Sequence, residues 1–256
     1  RSTTLIALGG GVIGDMGGFC AASWKRGIDF VHIPTTLLAM TDAAIGGKLG
    51  IDFHGVKNII GVFRQPAAVF VDPEFLETLP ERELRSGFAE VVKHGMIAHQ
   101  LSGSFQLPES SAKLWLERLE TSIAVKVRIV NEDPHEKGLR MLLNFGHTIG
   151  HAVESYFLET PVPLTHGEAI AIGMICETAI VGTHEDLGSK LSAIFPHRQI
   201  PASAFPLIWA LMLQDKKNSS GKVRMALPDE LPYSMKVVEI TEADVIRSLA
   251  YYNSLF

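Results

Sequence analysis

From the start of the chain to about Pro80, apolar residues come in short runs closed by glycine or proline. Thr4–Leu8, Phe30–Ile33 and Ala67–Asp72 have the length and closure of buried strands. Between them, an apolar stretch through Phe19 to Trp24 and the segment Leu37–Ala44 read as helices. Gly9–Gly14, Ile45–Lys48 and Gly55–Asn58 read as turns. After Thr78-Leu79-Pro80 the period lengthens. Glu81–His99 carries Leu84, Phe88, Val91, Val92 and Ile97 at helical spacing, and Ser111–Val130 is amphipathic. Ala169–Val181 is almost wholly apolar, and Phe205–Leu213 reads as another buried helix. Ser102–Ser111 and Asp215–Gly221 read as loops, and Lys222–Leu227 and Met235–Ile240 as short strands. Thr241 is a helix cap with Asp244 at the third helical position. The pattern predicts an α/β plus α chain. Residues 1–80 are expected to form a partial parallel-sheet domain, and residues 81–256 a mostly helical one.

Composition narrows this picture without changing it. A chain of 256 residues, 46% hydrophobic and 20% charged, can bury a sizeable core. A net charge of −5, with no basic stripe, argues against a nucleic-acid partner. No apolar run reaches the ~18 residues of a membrane-spanning helix, so no membrane partner is expected. Cys20 and Cys176 sit in apolar helical contexts, which suits a reduced, cytoplasmic setting better than a disulfide framework. The chain reaches a strand within a few residues of Arg1, and its natural beginning is expected to lie further upstream.

The candidate chemistry gathers round Asn144–Ala152 and His166-Gly167-Glu168. His147 and His151 are one helical turn apart and leave the same face. With His166, three of the ten histidines fall in this one region, and imidazole is the commonest metal-binding side chain. Spacing alone leaves open packed or solvated histidines. It also allows a metal held by all three with Glu90 as base. H-x3-H lacks the glutamate of a zinc-protease signature. Glu90 stands among Phe88, Ala89 and Val91, where a carboxylate needs a partner: Lys93 at i+3, or a metal. Gly9–Gly14 fits G-x-G-x-x-G between a strand and a helix, the turn that lets backbone approach a pyrophosphate. A tight turn also needs glycines without a ligand, and no ribose-binding acid ends the next strand. Thr35 and Thr36 lie at a strand's carboxyl end, where an open α/β sheet holds its ligand. Lys48 and Lys57, beside glycines, suit phosphate or carboxylate groups.

The stretches LGGGVIGDMGGFCAASWKRG, PTTLLAMTDAAIGGK, GVKNIIGVFRQP, LRSGFAEVVKHG, LLNFGHTIGHAVE, HGEAIAIGM and DKKN run in order over nearly the whole chain. Together they resemble the 3-dehydroquinate synthase family. The resemblance implies a cyclase that converts 3-deoxy-arabino-heptulosonate 7-phosphate to 3-dehydroquinate and phosphate in the shikimate pathway. It also implies catalytic NAD, one divalent metal (zinc, with cobalt as the alternative) and a homodimer. It makes Glu90, His147 and His166 the metal ligands and His151 a substrate-side proton-transfer group. Lys48, Lys93, Lys126, Arg140, Asn144 and one of Lys216 and Lys217 correspond to groups on the substrate's phosphate, carboxylate and hydroxyls. Arg26 corresponds to a phosphate contact across a subunit interface. Gly10, Gly11, Asp15, Thr35, Thr36, Asp42, Lys57, Asn58 and Thr78 correspond to the NAD site. Family members carry roughly ninety residues before the point matching Arg1, with the acid that holds the adenosine ribose. Gly9–Gly14 is therefore a middle turn of that domain. A valiolone or scyllo-inosose synthase, a metal-dependent polyol dehydrogenase and a non-catalytic fragment are the competing readings. Lys126 and Asn144 favour the shikimate member over the other cyclases.

Overall fold

The computed structural model describes residues 2–53, 56–100, 106–109, 111–184, 186–214 and 223–255, with the backbone alone at 52–53 and 56–58. Two compact units emerge: Arg1–Val91 with Pro108–Pro134, and Val92–Leu107 with His135–Phe256.

The first unit contains strands β1 (Thr4–Gly9), β2 (Asp29–Pro34), β3 (Lys48–Phe53), β4 (Val56–Phe63) and β5 (Ala68–Val69). β1, β2 and β5 form a parallel sheet in that order, with β1 and β2 in register from Thr4 opposite Asp29 to Gly9 opposite Pro34. Helix α1 (Gly11–Ser23) returns the chain from β1 to β2, as a parallel pair requires. Ala21, Ile28, Phe30 and Leu49 form a small core with Leu5, Phe19 and Ala22 packed on it. β1 forms as expected but is buried on one face only, through Leu5 and Ala7. It lies at the sheet edge, and Ile6 and Leu8 stay exposed because no described residue covers that face. The expected strand 67–72 shrinks to Ala68–Val69, since Pro66 and Pro73 bracket it and have no N–H to give a ladder. Of the expected turn Gly55–Asn58, Gly55 lies outside the described residues and the rest is strand. Val56, Lys57 and Asn58 begin β4, which pairs antiparallel with β3. Leu37–Ala44 is helical, but its second half, Ala39–Ala43, winds as a π-turn.

Helix α2 (Glu81–Ala98) runs through the division after Val91, and α3 (Ala112–Glu132) belongs to the first unit. The buried positions of α3 are Trp115, Leu119, Ser122, Val125, Lys126, Ile129 and Val130, a single stripe against the π-turn and the 3-10 turn Pro73–Thr78. Trp115 meets Phe88 of α2 edge to face at 6.0 Å and anchors its indole N–H on the Glu109 carbonyl.

The second unit contains α4 (His147–Leu158), α5 (His166–Val181), α6 (Leu187–Ser192), α7 (Phe205–Leu213), α8 (Glu242–Ser254) and the hairpin β6 (Val223–Pro228) with β7 (Met235–Ile240). α5 is its axis. It is buried from Gly167 to Thr178 and packs on α4, α6 and α8, so its sequence is apolar all round rather than striped. The Thr241–Asp244 cap forms in both directions, with Thr241 N–H donating to Asp244 at 2.8 Å. The expected loop 102–111 and the tip 219–221 fall largely or wholly outside the described residues.

Candidate active site

In the first unit the glycine turn and the two threonines come together. Gly10 precedes the first residue of α1, and Thr35 N–H donates to Gly9 O at 2.9 Å, tying the ends of β1 and β2. Thr36 Oγ1 accepts from Ala39 N–H at 3.2 Å and so opens the turn that carries Asp42. A Cβ on Gly10 would stand 3.2 Å from Thr36 Cγ2, and one on Gly11 3.3 Å from Ala43 Cβ. Bare backbone at a helix N-terminus, next to the Thr36 side chain, is the geometry that lets a phosphate approach. Asp15 lies one turn further along α1 and is half-buried. Thr78 closes the 3-10 turn Pro73–Thr78 and is exposed. Lys57 and Asn58 are on β4; their side chains fall outside the described residues.

Asp42 has a second partner. Lys126, buried at 5% exposure on the α3 stripe, donates to the Asp42 carbonyl at 2.5 Å and forms an ion pair with its carboxylate. One residue expected at NAD thus meets one expected at the substrate. Lys48, the first residue of β3, and Arg26, closing the 3-10 turn Trp24–Arg26, are both exposed. Glu90, on the stretch of α2 that belongs to this unit, is fully buried.

The second unit assembles the histidines. α4 begins at His147 and α5 at His166. The rings of His147 and His151 lie 4.9 Å apart, those of His147 and His166 5.3 Å, and those of His151 and His166 5.9 Å. His147 Nδ1 is 3.1 Å from the Phe145 carbonyl, which can only accept. The ring therefore carries its proton on Nδ1 and leaves the Nε2 lone pair for a ligand. Burial above all, then the charges of Lys93, His151 and His166, holds the His147 imidazole well below its usual range, against the Phe145 bond. A neutral, oriented imidazole is what a metal needs. His166 is half-buried, with Nδ1 3.7 Å from Glu154 Oε2. His151, Glu154 and His166 can each bring one ligand atom within 4.8 Å of the others, a set of three that lies wholly in this unit.

The same unit holds several of the expected polar groups. Lys93, fully buried, donates to the Leu143 carbonyl at 2.7 Å. Leu143 belongs to the 3-10 turn Leu139–Asn144, which also carries buried Arg140 and brings Asn144 to 2.6 Å from Glu136. Lys216 and Lys217 lie outside the described residues.

Some groups of the site escaped sequence reasoning. Glu177 and Glu154 are buried carboxylates on helices read only for apolarity or histidines, and His94 is buried beside Lys93. Thr165 and Glu168 cap α5 reciprocally, with Thr165 N–H donating to Glu168 at 2.8 Å. The T-x-x-E spacing at Thr165 was a legible signal for that cap. A glutamate inside an apolar helical run was the signal for Glu177.

The fold defines a class, the sugar-phosphate cyclases. A crystal structure of 2-deoxy-scyllo-inosose synthase with carbaglucose-6-phosphate, NAD+ and Co2+ superimposes with a TM-score of 0.83 at 26% identity, covering 98% of this chain and 74% of that one. The 2-epi-5-epi-valiolone synthase of Streptomyces hygroscopicus subsp. jinggangensis, with NAD+ and Zn2+, gives a TM-score of 0.76 at 27% identity over 99% of this chain and 74% of that one. Family models narrow the class. Residues 1–86 match 3-dehydroquinate synthase N-terminal, and residues 87–218 match 3-dehydroquinate synthase C-terminal. A 3-dehydroquinate synthase from Synechocystis sp. is 46% identical over 250 residues, 89% of this chain and 67% of that relative. The chain belongs to the 3-dehydroquinate synthase family.

Proposed function

We propose that this chain converts 3-deoxy-arabino-heptulosonate 7-phosphate to 3-dehydroquinate with release of phosphate, as a carbon–oxygen lyase. The observation that carries this reading is the oriented pair His147 and His166, each opening a helix, in a chain 46% identical to a named 3-dehydroquinate synthase. When bound, NAD would take and return a hydride, while a divalent metal, zinc or cobalt, would polarise adjacent substrate oxygens.

The chain's own groups supply position, charge and proton transfer. His147 and His166, completed by Glu90, are the proposed metal ligands. His151 remains free to move a proton at a substrate oxygen, which a coordinated nitrogen could not do. Its exposed ring beside His147 supports that role. The alternative ligand set His151, Glu154 and His166 would leave His147 without a task, although its tautomer is already fixed. Lys93 and Arg140, both buried, are proposed to meet the carboxylate and phosphate of the substrate, which call for cations at the site. Asn144, Lys48, Lys126 and one of Lys216 and Lys217 complete the proposed substrate contacts. Gly10, Gly11, Asp15, Thr35, Thr36, Asp42, Lys57, Asn58 and Thr78 make up the proposed NAD site. Arg26, exposed, is proposed to reach the phosphate of a partner subunit in a cytoplasmic homodimer. The functional division, with NAD bound by residues 1–80 and metal and substrate by residues 81–256, is likewise proposed.

Incubation with the heptulosonate phosphate, following phosphate release, tests this function. Release that needs NAD and stops with a chelator is the expected result. No release from folded, metal-loaded protein supplied with NAD overturns it.

A further inference from the structure

We infer that Glu177 is a positioning residue for the histidine site, holding the N-terminus of α4 so that His147 keeps its aim. The inference rests on the reading of His147 as a metal ligand. Glu177 is fully buried on α5, yet both its oxygens are used on another helix. Oε2 accepts from Gly146 N–H at 2.8 Å and Oε1 from Ile149 N–H at 3.0 Å. These are the residue just before α4 and the third residue of that helix. A helix starts with N–H groups that have no partner within the helix, and a serine, threonine or aspartate at the cap usually serves them. Here the cap is Gly146, which has no side chain to offer. Glu177 performs that function from across the helix pair.

The cap must be glycine for two reasons. Its φ is +78°, and a Cβ there would fall 2.6 Å from Met174 Cγ. The pair is closed tightly elsewhere too, because a Cβ on Gly173 would stand 1.9 Å from the Gly146 carbonyl. Glu177, one turn beyond Gly173 on α5, is therefore pressed against the peptide that leads into His147.

Charge gives Glu177 a second effect. His147 and His166 stand at the positive ends of two helices, and Lys93 adds another cation to the His147 surroundings. A dication bound there meets an unfavourable field unless anions offset it. Glu168 offsets the α5 end through its capping box, and Glu177 offsets the α4 end.

The test is zinc affinity, by competition with a chromogenic chelator, on folded Glu177→Gln well below its unfolding temperature. Glutamine keeps the volume but loses the charge and one acceptor. Zinc should bind roughly 10–100-fold more weakly, the usual effect of removing a group that orients a ligand. Leu249→Ala, a buried change on α8, should lower the unfolding temperature and leave zinc affinity unaltered. Wild-type zinc affinity in Glu177→Gln overturns the inference. If that variant does not fold, amide exchange in the native chain decides: Gly146 and Ile149 N–H should exchange as slowly as the α5 core, and fast exchange overturns the clamp. His147→Ala in the same titration keeps the two readings apart. Wild-type affinity there defeats the ligand assignment, whereas its loss beside an unaffected Glu177→Gln defeats only this inference.

Discussion

At the scale of single residues, two histidines one turn apart have been given different tasks by their surroundings. His147 is buried with its Nδ1 proton committed to the Phe145 carbonyl; His151 is exposed. His147→Ala should therefore lose both metal and turnover, while His151→Ala should keep near-stoichiometric metal and lose turnover. Metal analysis of the purified variants checks this, and a metal-free, folded His151→Ala would reverse the assignment. A third histidine predicts a pH effect away from the metal. His32 on β2 is 2% exposed, and burial lowers its pKa. The unfolded chain then takes up this proton near pH ~6.5, while the folded chain resists it to lower pH. The neutral form's stability is fully present above that value and is lost as pH falls through the folded pKa. His32→Gln should flatten the acid side of the stability curve, measured by urea midpoints from pH 7 to 5.

At the scale of elements, the site depends on how α4 and α5 begin. Both open on a histidine, and each start is held by a carboxylate: Glu168 within α5, Glu177 from α5 to α4. Thr165→Ala removes one half of the α5 capping box and should reduce stability by about 1 kcal/mol. Gly146→Ala forces a side chain into the left-handed region and against Met174, so its loss should exceed the ~1–2 kcal/mol of the backbone strain alone. Chemical denaturation of the two variants ranks them, and equal midpoints would contradict this account of the turn. The capping of α5 was readable from Thr165 and Glu168 as a spacing. The clamp by Glu177 was not, because residues far apart in sequence meet only when the helices pack.

At the scale of the whole chain, buried cations separate function from surface. Lys93→Ala or Arg140→Ala should reduce the rate of phosphate release far more than Lys190→Ala, whose ammonium pairs with Asp186 on the exposed side of α6. Steady-state phosphate assays on the three variants decide it, and equal turnover would defeat the substrate assignment. The sequence alone determined the long helices and the β1–α1–β2 turn, though not the short α6, because hydrophobic period and glycine spacing are local properties. It also carried the family's motifs, and with them the candidate residues. What it could not decide was set by partners distant along the chain. β4 formed where a glycine turn was expected because β3 offers its backbone as an antiparallel ladder. One face of β1, with Ile6 and Leu8, stayed exposed because what covers a sheet face is decided by packing rather than by the strand. Lys126 turned to Asp42, and Glu177 to Gly146 and Ile149, because a buried charge takes whichever partner packing brings within reach. Residue type and spacing make a group available; only the tertiary structure settles what it faces.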